Sequence, residues 1–241
     1  MKYNNITYGT FIDRPNRFVA LVETESGMET VHVKNTGRCK ELLIPGSKIA
    51  LTAPDNKARK TKYDLVAVHK NGLGWVNIDS QAPNVAVREW LEAFPEMFDG
   101  ITLLKPEYLY GGSRMDFYME IGDRKILLEV KGCTLEIDGV GYFPDAPTQR
   151  GVKHLRELTK AATEGFECYV TFVISMPKVK KVLPNIDTQP EFGDALNEAK
   201  NKGVKVIHLP CDVTPDTIKV IDAHIYDDEI RSASSNEDKC S

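Results

Sequence analysis

The chain has 241 residues, 41% of them hydrophobic, and a formal net charge of −4, so it is long enough to bury a sizeable core in one large domain or two small ones. The acidic balance excludes a protein coated in positive charge, and any nucleic-acid binding has to come from a local basic patch. No stretch reaches bilayer-spanning length, and the opening Met1-Lys2-Tyr3-Asn4-Asn5 lacks the apolar core of a signal peptide; the expectation is a cytoplasmic protein with no membrane partner.

Five cysteines, at 39, 133, 168, 211 and 240, are odd in number and form no C-x-x-C pair, so neither a disulfide framework nor a zinc site is indicated. Short segments of alternating character recur at 17–23, 30–34, 48–52, 63–70 and 74–78, separated by turn residues such as Glu25-Ser26-Gly27, Pro45-Gly46 and Asn71-Gly72. Five strands in so few residues predict a small barrel, closed or nearly closed, that hides its edges and folds apart from the rest. Near residue 82 the pattern changes. Val87, Trp90, Leu91 and Phe94 fall at helical spacing after Asn84, a good N-cap residue, and Pro95 discourages extension.

Beyond this boundary come strand-like segments at 101–105, 114–120, 125–131 and 133–137, a helix over about 148–163, a continuous apolar run at 168–174, a helix near 191–202 and a strand at 204–209. The interleaving predicts a mixed α/β domain over 83–226, with 168–174 as a central strand covered on both faces. The polar tail 227–241 is expected to be frayed.

The segment Arg124-Lys125-Ile126-Leu127-Leu128-Glu129-Val130-Lys131 carries the chemistry. Strand side chains alternate between faces, so Glu129 and Lys131 project from one face about 7 Å apart. Asp116, in Arg114-Met115-Asp116-Phe117, reaches that face if the two strands pair as a hairpin around Ile121-Gly122-Asp123. Two carboxylates then hold a hard cation beside a lysine. Metal-assisted phosphodiester hydrolysis uses that set, because Mg²⁺ takes oxygen ligands and keeps waters that can be activated. Taken alone, Glu-x-Lys on a strand is more often an exposed ion pair worth about 0–1 kcal/mol.

On the helix from Thr148, Arg150 and His154 share one face, as do Gln149 and Lys153, and either pair can present phosphate-binding groups; an isolated His154 is more ordinarily a half-buried helix histidine. In the first domain Lys57, Arg59, Lys60 and Lys62 cluster in one loop, and Arg38 and Lys40 follow the tight Asn35-Thr36-Gly37 turn. Lysine-rich loops are ordinarily just solvated.

The Asn35-Thr36-Gly37 turn with Arg38 and Pro45-Gly46, the Arg114-x-Asp116-Phe117 segment, Glu129-Val130-Lys131 and the stretch from Tyr142 to Leu158 together resemble the sugar fermentation stimulation protein A family, over roughly residues 9 to 220. The resemblance implies an OB-like N-terminal β-barrel followed by a restriction-endonuclease-like α/β domain of the PD-(D/E)xK type. It also implies sequence-nonspecific DNA binding, a link to the regulation of sugar metabolism, and a catalytic set of Asp116, Glu129 and Lys131 in which Mg²⁺ or Mn²⁺ sits on the carboxylates. Glu107 resembles the additional acidic residue such nucleases place near the metal, and Gln149, Arg150 and Lys153 become candidate DNA contacts. So do Arg38, Lys57, Arg59, Lys60 and Lys62, since OB-like barrels bind single strands through basic loops and stacking aromatics; Tyr63, Phe18 and Trp75 are available, although Phe18 and Trp75 are more often core. Met115 stands where the general nuclease pattern has proline.

Two functions compete: a metal-dependent nuclease, and a non-enzymatic DNA-binding regulator that keeps the fold. Clustered carboxylates repel phosphate unless a cation sits between them, which favours the enzyme. The same repulsion predicts that neutralising Asp116 or Glu129 leaves the metal-free protein as stable as before, or more so.

Overall fold

The computed structural model describes residues 1–35, 37–54, 59–93 and 96–226. Six strands open the chain: β1 (Ile6–Asn16), β2 (Val19–Thr24), β3 (Gly27–Val33), β4 (Lys48–Thr52), β5 (Asp64–Lys70) and β6 (Gly74–Asn77). They run in the order β3-β2-β1-β4-β5-β6, and β3 also pairs in parallel with β5. The first five therefore close a barrel of the expected OB type, while β6 extends β5 outside it.

β1 is an addition to the expected strands, and it sits between β2 and β4. Its sequence hides it. Register shifts between Phe11 and Asp13, and again before Asn16, break the alternation that marks a strand. Gly9 interrupts it too, because a Cβ there would stand 2.8 Å from the Glu23 carbonyl oxygen of the neighbouring strand.

The barrel is closed, but its core is not separate. One buried cluster runs from Phe11, Val22, Ile49 and Leu65 inside the barrel, through Leu73, Val76 and Ile78, to Met176, Leu155 and Phe192. Backbone bonds reinforce the junction: the Asn77 N–H donates to the Ser175 carbonyl (2.9 Å), and the Tyr3 N–H to that of Asp216 (2.7 Å).

Helix α1 (Ala82–Glu92) starts earlier than expected. Pro83 in its first turn has no N–H to leave unsatisfied, so the helix begins after Gln81, and Asn84 lies inside it rather than at the cap. Val87 and Leu91 are buried as the spacing predicts, whereas Phe94 and Pro95 lie outside the described residues. The second domain continues with β7 (Leu103–Tyr110), β8 (Ser113–Ile121), β9 (Arg124–Cys133), β10 (Leu135–Ile137), β11 (Val140–Phe143), α2 (Gln149–Thr163), β12 (Glu167–Ile174), β13 (Val182–Pro184), α3 (Pro190–Asn201), β14 (Lys205–Val213), β15 (Ile218–Val220) and β16 (His224–Ile225).

The main sheet has the order β15-β14-β12-β9-β8-β7, with β16 on β14. β7, β8 and β9 form an antiparallel meander, and β9, β12 and β14 run parallel. Both faces are covered. Leu127 joins Leu155 and Leu158 of α2 on one face, while Ile126, Leu128 and Val130 join Val87 and Leu91 of α1 on the other. β12 is central and buried along 168–174, as its unbroken apolar run predicts. A short sheet of β10, β11 and β13 flanks this layer; strands of three or four residues carry too little periodicity to show in the sequence.

Thr148 caps α2, its hydroxyl accepting from the Gly151 N–H at 3.0 Å. Thr148→Ala should cost about 1 kcal/mol, read as a lower midpoint in urea unfolding with the slope unchanged. Cys39, Cys133, Cys168 and Cys211 are buried free thiols; Cys240 and the tail from 227 lie outside the described residues. Among the described residues no helix is long and apolar enough to cross a membrane.

Candidate active site

β8 and β9 pair with Phe117 opposite Leu128, which places Asp116 across from Glu129. Alternation along β9 turns Glu129 away from the α1 face and under α2, where it is only 2% exposed. Its Oε1 accepts from Lys131 Nζ (2.5 Å) and from His154 Nδ1 on α2. Arg150 Nε lies 3.3 Å from His154 Nε2, so both ring nitrogens are engaged and Nδ1 is the one directed at Glu129. Glu129 Oε2 is buried and has no hydrogen-bond partner.

Asp116 is held from two sides, its Oδ2 accepting from the Val130 N–H and its Oδ1 from Asn84 Nδ2, both at 2.7 Å. Gly132 makes the second contact available. A Cβ there would stand 2.7 Å from Pro83 Cγ, and this close approach brings the first turn of α1, with Asn84, onto β9. Burial and then the Glu129 charge push the Asp116 carboxyl up to about 6, against the Val130 N–H, Lys131 and Asn84. For Glu129 burial also acts upward, but Lys131 and His154 outweigh it and hold the carboxyl below its usual range.

The pair offers oxygen donors only, one of them an orphaned buried carboxylate oxygen, and so fits a hard divalent cation rather than a soft one. Glu107 does not complete it. Its residue lies between the Pro106–Phe117 and Tyr108–Met115 pairs of β7 and β8, with φ 54°, and its exposed carboxylate meets Arg114 at 3.4 Å instead. Among the described residues no three His, Cys, Asp or Glu side chains are grouped to hold a metal, so the expected set of Asp116, Glu129 and Glu107 is not assembled.

Gln149, Arg150, Lys153 and His154 of α2 line a groove of about 380 Å³ with Arg114, and Lys153 Nζ donates to the Gly112 carbonyl at 2.6 Å. The basic loop of the barrel is less available than its sequence suggests. Arg59 is bidentate on Asp64 (3.0 and 2.8 Å), Lys62 faces Glu29 at 3.7 Å, Lys60 is exposed, and Lys57 lies outside the described residues. Tyr63 is buried and Trp75 half-buried, whereas Phe18 is 49% exposed, so of the three aromatics left open by the sequence it is Phe18 that faces outward.

Two family models match this chain: the SfsA N-terminal OB domain over residues 12–78, and the sugar fermentation stimulation protein RE domain over residues 81–217. The chain belongs to the SfsA family. Sugar fermentation stimulation protein homologs from Desulfitobacterium hafniense (strain DSM 10664 / DCB-2) and Clostridium beijerinckii are 53% and 51% identical to it over 222 residues, covering 92% of this chain and 96% and 97% of theirs. The structure of Pyrococcus furiosus SfsA in complex with Ca²⁺ superposes with a TM-score of 0.81 at 28% identity, covering 91% of this chain and 96% of that one.

In this SfsA-family chain two site residues are not evident from sequence. The part His154 plays is one: its spacing from Arg150 offers it only as a phosphate contact or a half-buried helix histidine, and the packing of α2 sets it against Glu129. Asn84 is the other; its order in the chain suggests a helix cap, and only the packing of α1 on β9 turns its amide to Asp116.

Proposed function

We propose that this SfsA-family protein is a divalent-metal-dependent nuclease acting on DNA, with Mg²⁺ or Mn²⁺ held by Asp116 and Glu129. The observation that carries the reading is the partnerless, buried Glu129 Oε2 beside Asp116 and Lys131. A buried carboxylate oxygen without a donor costs about 1–3 kcal/mol, and a cation removes that cost. The Ca²⁺ named for the Pyrococcus furiosus structure is a hard, oxygen-seeking ion of the same class.

When bound, the ion supplies charge neutralisation on the phosphodiester and lowers the pKa of a coordinated water. The protein's part is positioning. His154 and Asn84 hold the two carboxylates in one orientation each. Lys131 gives one N–H to Glu129 and keeps two donors for a phosphate oxygen or a water. Arg150 and Lys153 line the groove next to it, suited to the flanking phosphates.

The test is incubation of the pure protein with single- and double-stranded DNA in Mg²⁺, Mn²⁺ or EDTA. Cleavage is expected with either metal and not with EDTA. Lys131→Ala should abolish it while keeping the thermal stabilisation that Mn²⁺ gives the wild type. Binding without any cleavage identifies the non-enzymatic regulator, and cleavage that survives EDTA or Lys131→Ala removes this site from the chemistry.

A further inference from the structure

The groove of about 380 Å³ between the β7–β8 turn and the start of α2 is lined by Ser113 on one wall and by Gln149, Arg150 and Lys153 on the other. Ser113 is 5% exposed, and its hydroxyl is buried without a hydrogen-bond partner. Two residues on, Met115 packs in one cluster with Leu155 and Leu158 of α2, so the alternation of β8 turns Ser113 toward the same helix. A ligand oxygen removes the cost of such a hydroxyl, which needs only to rotate about one bond to meet it.

The opposite wall is built from donors. The Gln149 and Arg150 N–H groups open α2 and have no acceptor among the described residues, as the first turn of a helix leaves them. Arg150 and Lys153 belong to no ion pair among the described residues, whereas Arg114 in the same lining is paired with Glu107. Lys153 gives one N–H to the Gly112 carbonyl and keeps two.

The groove also has an end. A Cβ at Gly111 would stand 2.6 Å from Glu157 Oε2, and one at Gly112 would stand 3.7 Å from Glu157 Oε1, so this carboxylate closes the turn one helical turn beyond Lys153. Glu164 follows two turns later, held by the Tyr110 hydroxyl at 2.6 Å. A further phosphate beyond Lys153 would face these negative charges.

We propose that this groove seats the terminal phosphate of a DNA strand, so that the carboxylate site works from a phosphorylated end and not at internal positions. The proposal rests on the nuclease reading and names the substrate of that same site. A phosphodiester carries one charge on two free oxygens, whereas a terminal phosphate carries about two on three and so matches a pocket of several donors and two unpaired cations. Its place suits the chemistry, since Arg150 lies one helical turn, about 5–6 Å, from His154, the residue that touches Glu129.

The test is fluorescence anisotropy of an internally labelled oligothymidylate with a phosphate at one end, at the other or at neither, using the full chain in metal-free buffer. Wild type should bind one of the phosphate-ended strands about tenfold more tightly than the strand with hydroxyls at both ends, the share of one charge-assisted hydrogen bond. Ser113→Ala and Lys153→Gln should each lose most of that preference. Ser113→Ala should do so at an unchanged or higher urea midpoint, because it removes a buried polar group that has no partner. Equal affinity of the wild type for all the strands, or a preference that survives both substitutions, overturns the pocket. Cleavage with Mg²⁺ or Mn²⁺ is read separately: end preference without cleavage keeps the pocket and removes the nuclease reading, and cleavage without end preference does the reverse.

Discussion

Glu129→Gln should lower the stability of the metal-free protein by about 3–5 kcal/mol and remove its whole response to Mn²⁺. The side chains of Glu129 and Lys131 are 3% and 11% exposed, and removing one partner of a buried pair leaves the other charge uncompensated. His154 loses its anionic acceptor at the same time. This reverses the expectation from sequence, in which carboxylate repulsion dominates; the packed protein already balances Glu129 with a cation and a donor. Lys131→Met added to Glu129→Gln should recover much of the loss, since two apolar or neutral groups replace a broken pair. Wild type should gain about 2.7 kcal/mol at a hundredfold excess of Mn²⁺ over Kd, and both variants almost none. Urea unfolding with and without Mn²⁺ measures both effects. A single variant that unfolds at the wild-type midpoint and still responds to Mn²⁺ would falsify the ion pair and the metal site together.

Without metal, Asp116 should remove about 3 kcal/mol of stability as pH rises from about 4 to about 7. Its carboxyl titrates near 3.8 in the unfolded chain and at about 6 in the folded one, and each unit is worth about 1.4 kcal/mol. Between these values the native state holds a proton that the unfolded state has released, so stability falls with rising pH until both states are ionised. Glu129 acts in the opposite sense and a different window, because its folded value lies below the ordinary 4.5: its contribution is present above that value and is lost as pH falls through the lower folded one. Asp116→Asn should flatten the first slope, with a pH-independent offset of about 1–3 kcal/mol because one amide oxygen replaces two acceptors for Asn84 and Val130. The check is the wild-type minus Asp116→Asn difference in unfolding free energy, measured from pH 4 to 7. A constant difference rules out a raised Asp116.

What local periodicity governs was legible in the residues themselves. A period of two puts Glu129 and Lys131 on one face, a tight turn at Gly122 brings Asp116 back toward them, and an unbroken apolar run marks β12 as buried on both faces. Alternation cannot say which element covers a face, nor where a long side chain finds its partner. His154 over Glu129 and Asn84 on Asp116 were decided by contacts between residues distant in sequence, while the pairing of Arg59 with Asp64 and of Glu107 with Arg114 and the exposure of Phe18 were decided by how each segment packs its side chains. β1 escaped for a related reason, since its bulges and Gly9 serve the curvature of a closed barrel and erase the alternation that a flatter strand would show. The backbone pattern thus determined which residues could meet, and packing determined the charge state, the hydrogen-bond partners and the accessibility with which they do.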